Sequence, residues 1–283
     1  MKTLQVGKAR VNVINLGHLS YALKDVEDVT ESEWRPRYSE VFENSRLYPS
    51  QCVHILLPDA SILVDAGDYA LFASQGAEYI PKDYRPPPGL IEQLIHFGIS
   101  VEGITHVVIT HAHYDHYSGV TMKKDDGTLV PTFPKARYFL GKPDWVDERT
   151  QKSLADPSSD DSKTLGALKK FGVLELVEGD LDLVPDVRII AAPGESSGHQ
   201  ILKINSSGST LYCIGDLFHD PVEVENPSWM ATWADPQTNL KSRESLIEDS
   251  LGENAVIVAA HMPVGKLVRN GKGAKFLPLL EFL

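Results

Sequence analysis

Apolar and polar residues alternate in several short runs, a pattern typical of β-strands with one buried face. Residues 3–16 predict a hairpin that turns at Gly7-Lys8. Residues 52–57 and 61–64 predict a second hairpin that turns at Pro58-Asp59. Further strands are predicted at 107–109, 136–140, 173–177, 187–191, 201–204, 210–214 and 256–260.

Helical spacing of apolar residues appears between these strands. Residues 89–97 predict a helix that Gly98 ends, and residues 144–152 and 163–171 predict two more. The clearest late helix is predicted at 239–251, with Leu240, Ile247 and Leu251 facing inward. Strands and helices in this order are consistent with two sheets that pack on each other and carry helices outside.

The segment 25–49 has no regular pattern and is predicted to be irregular. It holds Trp34, Tyr38 and Phe42 among many charged residues, and such aromatic side chains need something to cover them. We expect the segment to cover a substrate pocket or to form a dimer contact, with Trp34 and Phe42 as substrate-binding residues. The chain is predicted to be a single domain, residues 1–283, with 25–49 as an insertion.

Composition narrows the classes of function. The chain has 283 residues, 42 % hydrophobic and 23 % charged, which are ordinary values for a globular protein. The net charge of −12 disfavours nucleic acid as a partner. No apolar stretch is long enough for a membrane span, and no signal peptide is recognisable, so a cytoplasmic location is expected. Cys52 and Cys213 are predicted to be buried, without a disulfide framework.

The stretch from Ile104 to Gly119 contains the densest candidate chemistry. The β-branched run 107–109 leads directly into the sequence HAHYDH, which supplies His111, His113, Asp115 and His116. Imidazole and carboxylate groups suit Zn²⁺ and other divalent first-row ions. With alternate spacing, His111 and His113 can face one ion, while Asp115 and His116 can face another.

The HAHYDH motif resembles the H-x-H-x-D-H signature of metallo-β-lactamase-fold hydrolases, including their lactonase and methyl-parathion-hydrolase-like members. Candidates for the remaining ligands of that superfamily occur later, in Gly198-His199, Gly215-Asp216 and at His261. The resemblance implies an α+β fold, an αββα sandwich in which two mixed β-sheets pack face to face and are flanked by helices.

The resemblance also implies a dinuclear site. The first ion is expected to bind His111, His113 and His199, and the second Asp115, His116 and His261, with Asp216 bridging the two. Zn²⁺ is the first expectation, with Mn²⁺, Fe²⁺ or Co²⁺ as alternatives. Asp65 is expected to support the metal loop by accepting a hydrogen bond from a ligand histidine. Asp115 and Asp216 are the predicted catalytic carboxylates.

Two departures from the family pattern stand out. Glu195 occupies a position where many relatives have a histidine that is not a ligand, so we expect an altered pocket but intact metal binding. Asp216 stands where well-known zinc β-lactamases have a cysteine, which disfavours a β-lactamase. The sequence GDLFHDP places Phe218 and His219 close to Asp216, and we predict that both bind substrate.

The resemblance therefore predicts a dinuclear hydrolase for a small ester-like substrate, namely a lactone, an aryl ester or a phosphotriester. The nucleophile is expected to be a hydroxide shared by both ions. A thioester hydrolase of the glyoxalase II type is the main alternative, followed by a β-lactamase or a non-enzymatic metal-binding protein. A small molecule is the expected partner, with a homodimer as an open alternative.

Overall fold

The computed structural model of the chain describes residues 2–74, 80–81 and 83–279. Nine strands occupy the described first part of the chain: β1 (Lys2–Val6), β2 (Ala9–Tyr21), β3 (Arg46–Leu56), β4 (Ser61–Val64), β5 (His106–Val108), β6 (Thr121–Lys123), β7 (Leu129–Pro131), β8 (Arg137–Gly141) and β9 (Leu174–Val177). Seven of them form one sheet in the order β1-β2-β3-β4-β5-β8-β9, and β6 pairs with β7.

The second sheet is built from the later described part of the chain. Its seven strands follow sequence order: β10 (Leu181–Val184), β11 (Val187–Ala191), β12 (Gln200–Ser206), β13 (Ser209–Cys213), β14 (Val256–Val258), β15 (Gly265–Asn270) and β16 (Gly273–Pro278). In the first sheet β4, β5, β8 and β9 run parallel, and in the second β13 and β14 do so. Both sheets are therefore mixed, as predicted.

Helices cover the outer faces of the two sheets. The described helices are α1 (Glu31–Glu43), α2 (Tyr69–Ser74), α3 (Leu90–His96), α4 (Tyr114–Tyr117), α5 (Lys142–Val146), α6 (Glu148–Leu154), α7 (Asp160–Lys163), α8 (Leu165–Lys170), α9 (Pro221–Glu225) and α10 (Pro236–Glu253). Among the described residues, no helix combines the length and the apolar character needed to cross a membrane. The expected cytoplasmic location stays a prediction.

Strand alternation explains the layers. Val13, Ile55 and Val108 of the first sheet share a buried cluster with Leu202 and Cys213 of the second, so the two sheets pack face to face. The alternate residues of each strand face outward. Those of the first sheet pack against α3 and α8, and those of the second sheet pack against α10. The αββα sandwich implied by the resemblance is confirmed.

The prediction of an irregular segment at 25–49 was wrong. Thr30 and Glu33 form a capping box that starts α1, and β3 already begins at Arg46. Pro36 lies inside this helix, and Tyr38 has non-helical backbone angles, so the helix is kinked. The proline and the many charges hid the helical pattern, although the T-x-x-E signature was present in the sequence.

Other differences are smaller. The helix predicted at 144–152 is interrupted at Asp147, whose side chain accepts a hydrogen bond from the Arg149 N–H and starts α6. Strands β6, β7, β10, β15 and β16 were missed. The most buried residues of α10 are Asn239, Arg243, Leu246 and Ser250. Ile247 and Leu251, which were predicted to face inward, are partly buried and pack against the same cluster as Leu246, but the buried face of the helix is largely polar. Its buried arginine is explained by polar partners that lie far away in sequence.

Candidate metal centre

The predicted ligands meet at one edge of the sandwich. The metal loop follows β5, Asp216 follows β13 and His261 follows β14, and these strands end at the same edge as β4. Close backbone contacts hold the loops there: a Cβ on Gly67 would lie 2.0 Å from the carbonyl oxygen of Asp115. Glycine is therefore required where the chain after β4 touches the metal loop.

Four side chains form the second-ion cluster. Asp115 Oδ2 lies 3.5 Å from His116 Nε2 and 3.4 Å from His261 Nε2. Asp216 Oδ2 lies 3.2 Å and 3.4 Å from the same two nitrogens. Ligand atoms at about 2.1 Å from one ion are about 3.0–3.4 Å apart at octahedral or tetrahedral angles. The spacing therefore fits one divalent ion.

The first-ion cluster is built around His111 and His113. His111 Nε2 lies 2.9 Å from His113 Nδ1 and 3.8 Å from Asp216 Oδ2, which places Asp216 between the clusters. His199 donates from Nδ1 to the Ala192 carbonyl at 3.1 Å, and its Nε2 accepts from the Asp216 N–H at 3.2 Å. It lies beside the cluster of His111, His113, Glu195 and Asp216, so its binding to the first ion stays a prediction. The carboxylate of Glu195 also faces these histidines, a contact that the sequence did not predict.

Electrostatics favour a cation at these positions. Among the described residues, no lysine or arginine forms an ion pair with Asp115, Asp216 or Glu195. His116 Nε2, Asp216 Oδ1 and Glu195 Oε2 are buried and have no hydrogen-bond partner there. Buried polar atoms without partners are costly. The donor atoms and their spacing thus fit two divalent ions.

Burial and the close packing of ionisable groups shift the pKa values of the predicted ligands. Burial, followed by the neighbouring His116 and His113, keeps the pKa of His111 well below its usual value. Burial acts to raise the pKa of Asp216, but His116 and His261 hold it well below its usual range. A neutral imidazole and an ionised carboxylate are the forms that bind metal, and His111 and Asp216 favour them. Burial acts to lower the pKa of His261, but Asp216 and Asp115 raise it to about 9, so metal binding there would release a proton.

Two aspartates outside the ligand set hold the loops. Asp65 accepts hydrogen bonds from the Thr110 N–H at 2.8 Å, the Thr110 hydroxyl at 3.0 Å and His116 Nδ1 at 2.9 Å, as its predicted supporting role requires. Asp144 accepts from the Ala112 N–H and the Ser196 hydroxyl, both at 2.8 Å. It thereby ties the metal loop to the loop before β12. In the sequence, Asp144 resembled an ordinary acidic residue at a helix start.

A cavity of about 300 Å³ opens onto the ligands. Its apolar wall contains Leu19, Tyr21, Val26, Phe72 and Ala231, and its polar lining includes His113, Asp115, Asp216, His219, His261, Glu27, Arg149 and Trp233. A second cleft, lined in part by Glu195, Arg149 and Trp233, adjoins it. The segment 25–49 thus reaches the cavity through Val26 alongside Glu27. Its predicted role as a dimer contact stays a prediction.

Only one of the four predicted substrate-binding residues lines this cavity. His219 does so, with Nε2 3.5 Å from Asp216 Oδ2. Phe218 is 1 % exposed and packs under the Arg243 guanidinium instead. Trp34 and Phe42 stack on each other at 5.1 Å in the core, and Phe42 is 0 % exposed. None of these three aromatic side chains lines the cavity, because their apolar rings are enclosed by other core residues, and their contact with substrate stays a prediction.

Comparisons with known proteins agree with this geometry. The family model described as the metallo-beta-lactamase superfamily matches residues 46–261. An N-acyl homoserine lactonase of Bacillus cereus is 23 % identical over 240 residues, which cover 81 % of this chain and 86 % of the relative. An N-acyl homoserine lactonase of Bacillus thuringiensis is 25 % identical over 224 residues, 75 % of this chain and 81 % of the relative.

Solved structures show the same fold. The crystal structure of AbOPH, described as a hydrolase in the beta lactamase superfamily, gives a TM-score of 0.76 at 17 % identity, covering 98 % of this chain and 96 % of that one. AidC, described as a dizinc quorum-quenching lactonase in complex with a product, gives 0.74 at 20 % identity, covering 98 % and 97 %. These similarities extend over nearly the whole chain.

Proposed function

Since the chain belongs to the metallo-β-lactamase superfamily, we propose that it is a dinuclear hydrolase that opens lactones or cleaves related esters with a small apolar acyl group. The observation that carries the proposal is an apolar cavity opening directly onto two clusters of ligand atoms. The similarity to N-acyl homoserine lactonases supports a lactone as the first substrate to test.

In this proposal seven side chains would hold two divalent ions, Zn²⁺ in the first instance: His111, His113, His199, Asp115, His116, His261 and Asp216. When bound, the ions supply an activated water as nucleophile and polarise the bond that is attacked. The Asp115 side chain is 17 % exposed, whereas the Asp216 side chain is 6 % exposed, so Asp115 is the more accessible of the two carboxylates for proton transfer to a leaving group.

His219 is placed to orient the substrate. Its ring lines the cavity, and neither of its nitrogens has a hydrogen-bond partner among the described residues. An imidazole N–H there can donate to a carbonyl or ring oxygen of an ester held at the ions. Asp216 and Glu223 flank the ring at 3.5 Å and 3.7 Å and limit its rotation.

The cavity wall sets the class of acyl group. Leu19, Val26, Phe72 and Ala231 offer no hydrogen bonds, so they suit a hydrocarbon chain. A volume of about 300 Å³ favours a short or medium chain over a long one. The polar end of the substrate then lies toward His219 and the ligand atoms.

The test is hydrolysis by metal-reconstituted protein across lactones of increasing acyl length, aryl esters, thioesters and phosphotriesters. We expect the highest kcat/KM for lactones or aryl esters with an apolar acyl group. His111→Ala and Asp216→Ala should each lose at least about 100-fold, because even residues outside the ligand shell cost 10–100-fold. His96→Ala, which alters an exposed residue on α3, should stay near wild type.

A protein that holds two ions and hydrolyses none of these lactones and esters would refute the proposal. A clear preference for thioesters would favour the glyoxalase II type of activity instead.

A further inference from the structure

Glu195 has a position that the predicted seven-ligand site does not account for. It lies in the loop between β11 and β12 and is 2 % exposed. Gly194 has a φ of 131°, and a Cβ there would lie 2.2 Å from the backbone of Asn239. The loop is therefore pressed against the start of α10, and the Glu195 side chain points into the metal centre.

The Glu195 carboxylate faces the ligand atoms of the first ion. Oε2 lies 3.3 Å from His111 Nε2, and Oε1 lies 3.2 Å from His113 Nδ1. These separations match the spacing of about 3.0–3.4 Å expected for neighbouring ligands of one ion. Glu195, His111, His113 and Asp216 each offer a ligand atom, and these atoms all lie within 4.8 Å of one another.

The other contacts of Glu195 leave its Oε2 atom free for an ion. Trp233 donates from Nε1 to Oε1 at 2.7 Å, which orients the carboxylate. Oε2 is buried and has no hydrogen-bond partner among the described residues. When His111 and His113 bind an ion through the nitrogens that face Glu195, those nitrogens have no proton to donate. A cation is then the partner that the buried carboxylate lacks.

We infer that Glu195 is a further ligand of the first ion, together with His111, His113 and His199, with Asp216 as the bridge. This inference rests on the dinuclear site of the proposed function. The added carboxylate raises the number of protein ligands at the first ion to five. Five ligands that include two carboxylates suit ions of higher coordination number, such as Mn²⁺, better than they suit tetrahedral Zn²⁺.

The test measures metal binding and needs no substrate. Glu195→Gln keeps the shape of the side chain and an acceptor for Trp233, but removes the charge. Competition with a chelator should show that the affinity for one of the two ions falls at least about 100-fold. Losing a residue that only supports a ligand already costs up to about 100-fold, and losing a ligand should cost at least as much. The Mn²⁺ to Zn²⁺ affinity ratio should fall. Glu178→Gln removes one charge from an exposed pair with Lys142 and should match wild type.

Cobalt substitution gives a second readout. Visible absorption of Co²⁺ strengthens as its coordination number falls, so Glu195→Gln should absorb more strongly than wild type. X-ray absorption of the zinc-loaded wild-type protein tests the same point without any substitution. Without Glu195, four protein ligands and a shared hydroxide would already give five ligands per ion, so an average coordination number above five supports the inference.

Unchanged affinity for both ions together with an unchanged Co²⁺ spectrum in a folded Glu195→Gln protein would overturn the assignment. An average of five or fewer ligands per ion in the wild type would overturn it as well. If the wild type binds two ions but hydrolyses no lactone or ester, the proposed function fails and these metal measurements still decide the role of Glu195.

Discussion

Arg243 of α10 is the most informative position for a stability test. It is 0 % exposed and donates to the carbonyl oxygens of Leu217 at 2.7 Å and Pro227 at 3.2 Å, and also to that of Trp229. It forms a buried ion pair with Glu223 at 3.0 Å. One guanidinium therefore holds the segment that connects β13 to α10, and this segment carries Asp216, the proposed bridging ligand.

Arg243→Met should destabilise the protein strongly. It preserves much of the side-chain volume but leaves the Glu223 carboxylate buried without its cation, and breaking a buried pair costs about 3–5 kcal/mol. For 283 residues, 1 kcal/mol corresponds to about 2 °C in Tm. We therefore expect a decrease in Tm of about 6–10 °C.

The measurement is thermal and urea unfolding of chelator-treated protein, followed by circular dichroism. The double variant Arg243→Met/Glu223→Gln supplies the matched control. Glutamine can still accept the hydrogen bonds of the capping box at α9 but carries no charge. The double variant should recover about 2 kcal/mol, because the uncompensated charge causes much of the loss.

The pH dependence provides an independent check. Burial acts to raise the pKa of Glu223, but Arg243 and then His219 lower it from 4.5 to about 2. Because the pKa is lower in the folded state, the ion pair contributes fully above about pH 4.5 and is lost as the pH falls toward 2. Glu223→Gln should therefore lose less stability than wild type over that interval.

A Tm for Arg243→Met within about 2 °C of wild type would refute this reasoning, since it corresponds to about 1 kcal/mol for a chain of this size. So would a double variant that is less stable than Arg243→Met alone.

Two further predictions concern the support of the site. Asp65→Asn should weaken metal binding about 10–100-fold, because an amide offers one acceptor oxygen where Thr110 and His116 require two. Competition with a chelator measures this affinity, and an unchanged affinity would contradict the prediction. Phe42→Ala should cost about 3–5 kcal/mol of unfolding free energy through the cavity left in the core, with KM little changed. A large change in substrate preference without loss of stability would contradict this prediction and support Phe42 as a substrate contact.

Local patterns in the sequence were sufficient for most of the framework. Period-two alternation located β2, β3 and the central strands, because a strand with one buried face must alternate. It failed for β10, where all four residues are exposed or only half-buried, so no clear alternation exists. It also failed for α1, where Pro36 interrupts the helical pattern.

The metal loop was predictable because its ligands are close in sequence and chemically distinctive. His111, His113, Asp115 and His116 follow a buried strand within six residues, and their identities alone indicate metal binding. The later ligands were proposed from the family resemblance, and their convergence depends on strands that end at one edge of the sandwich.

Tertiary structure alone decided the direction of the remaining side chains. Glu195 points at His111 because α10 presses on its loop, and Phe42 is enclosed because Trp229 closes over it. Arg243 is buried because carbonyl groups of a distant loop converge on it. In each case the partners are far apart in sequence. The free energy that orients the side chain therefore arises only when the sheets and helices have packed together.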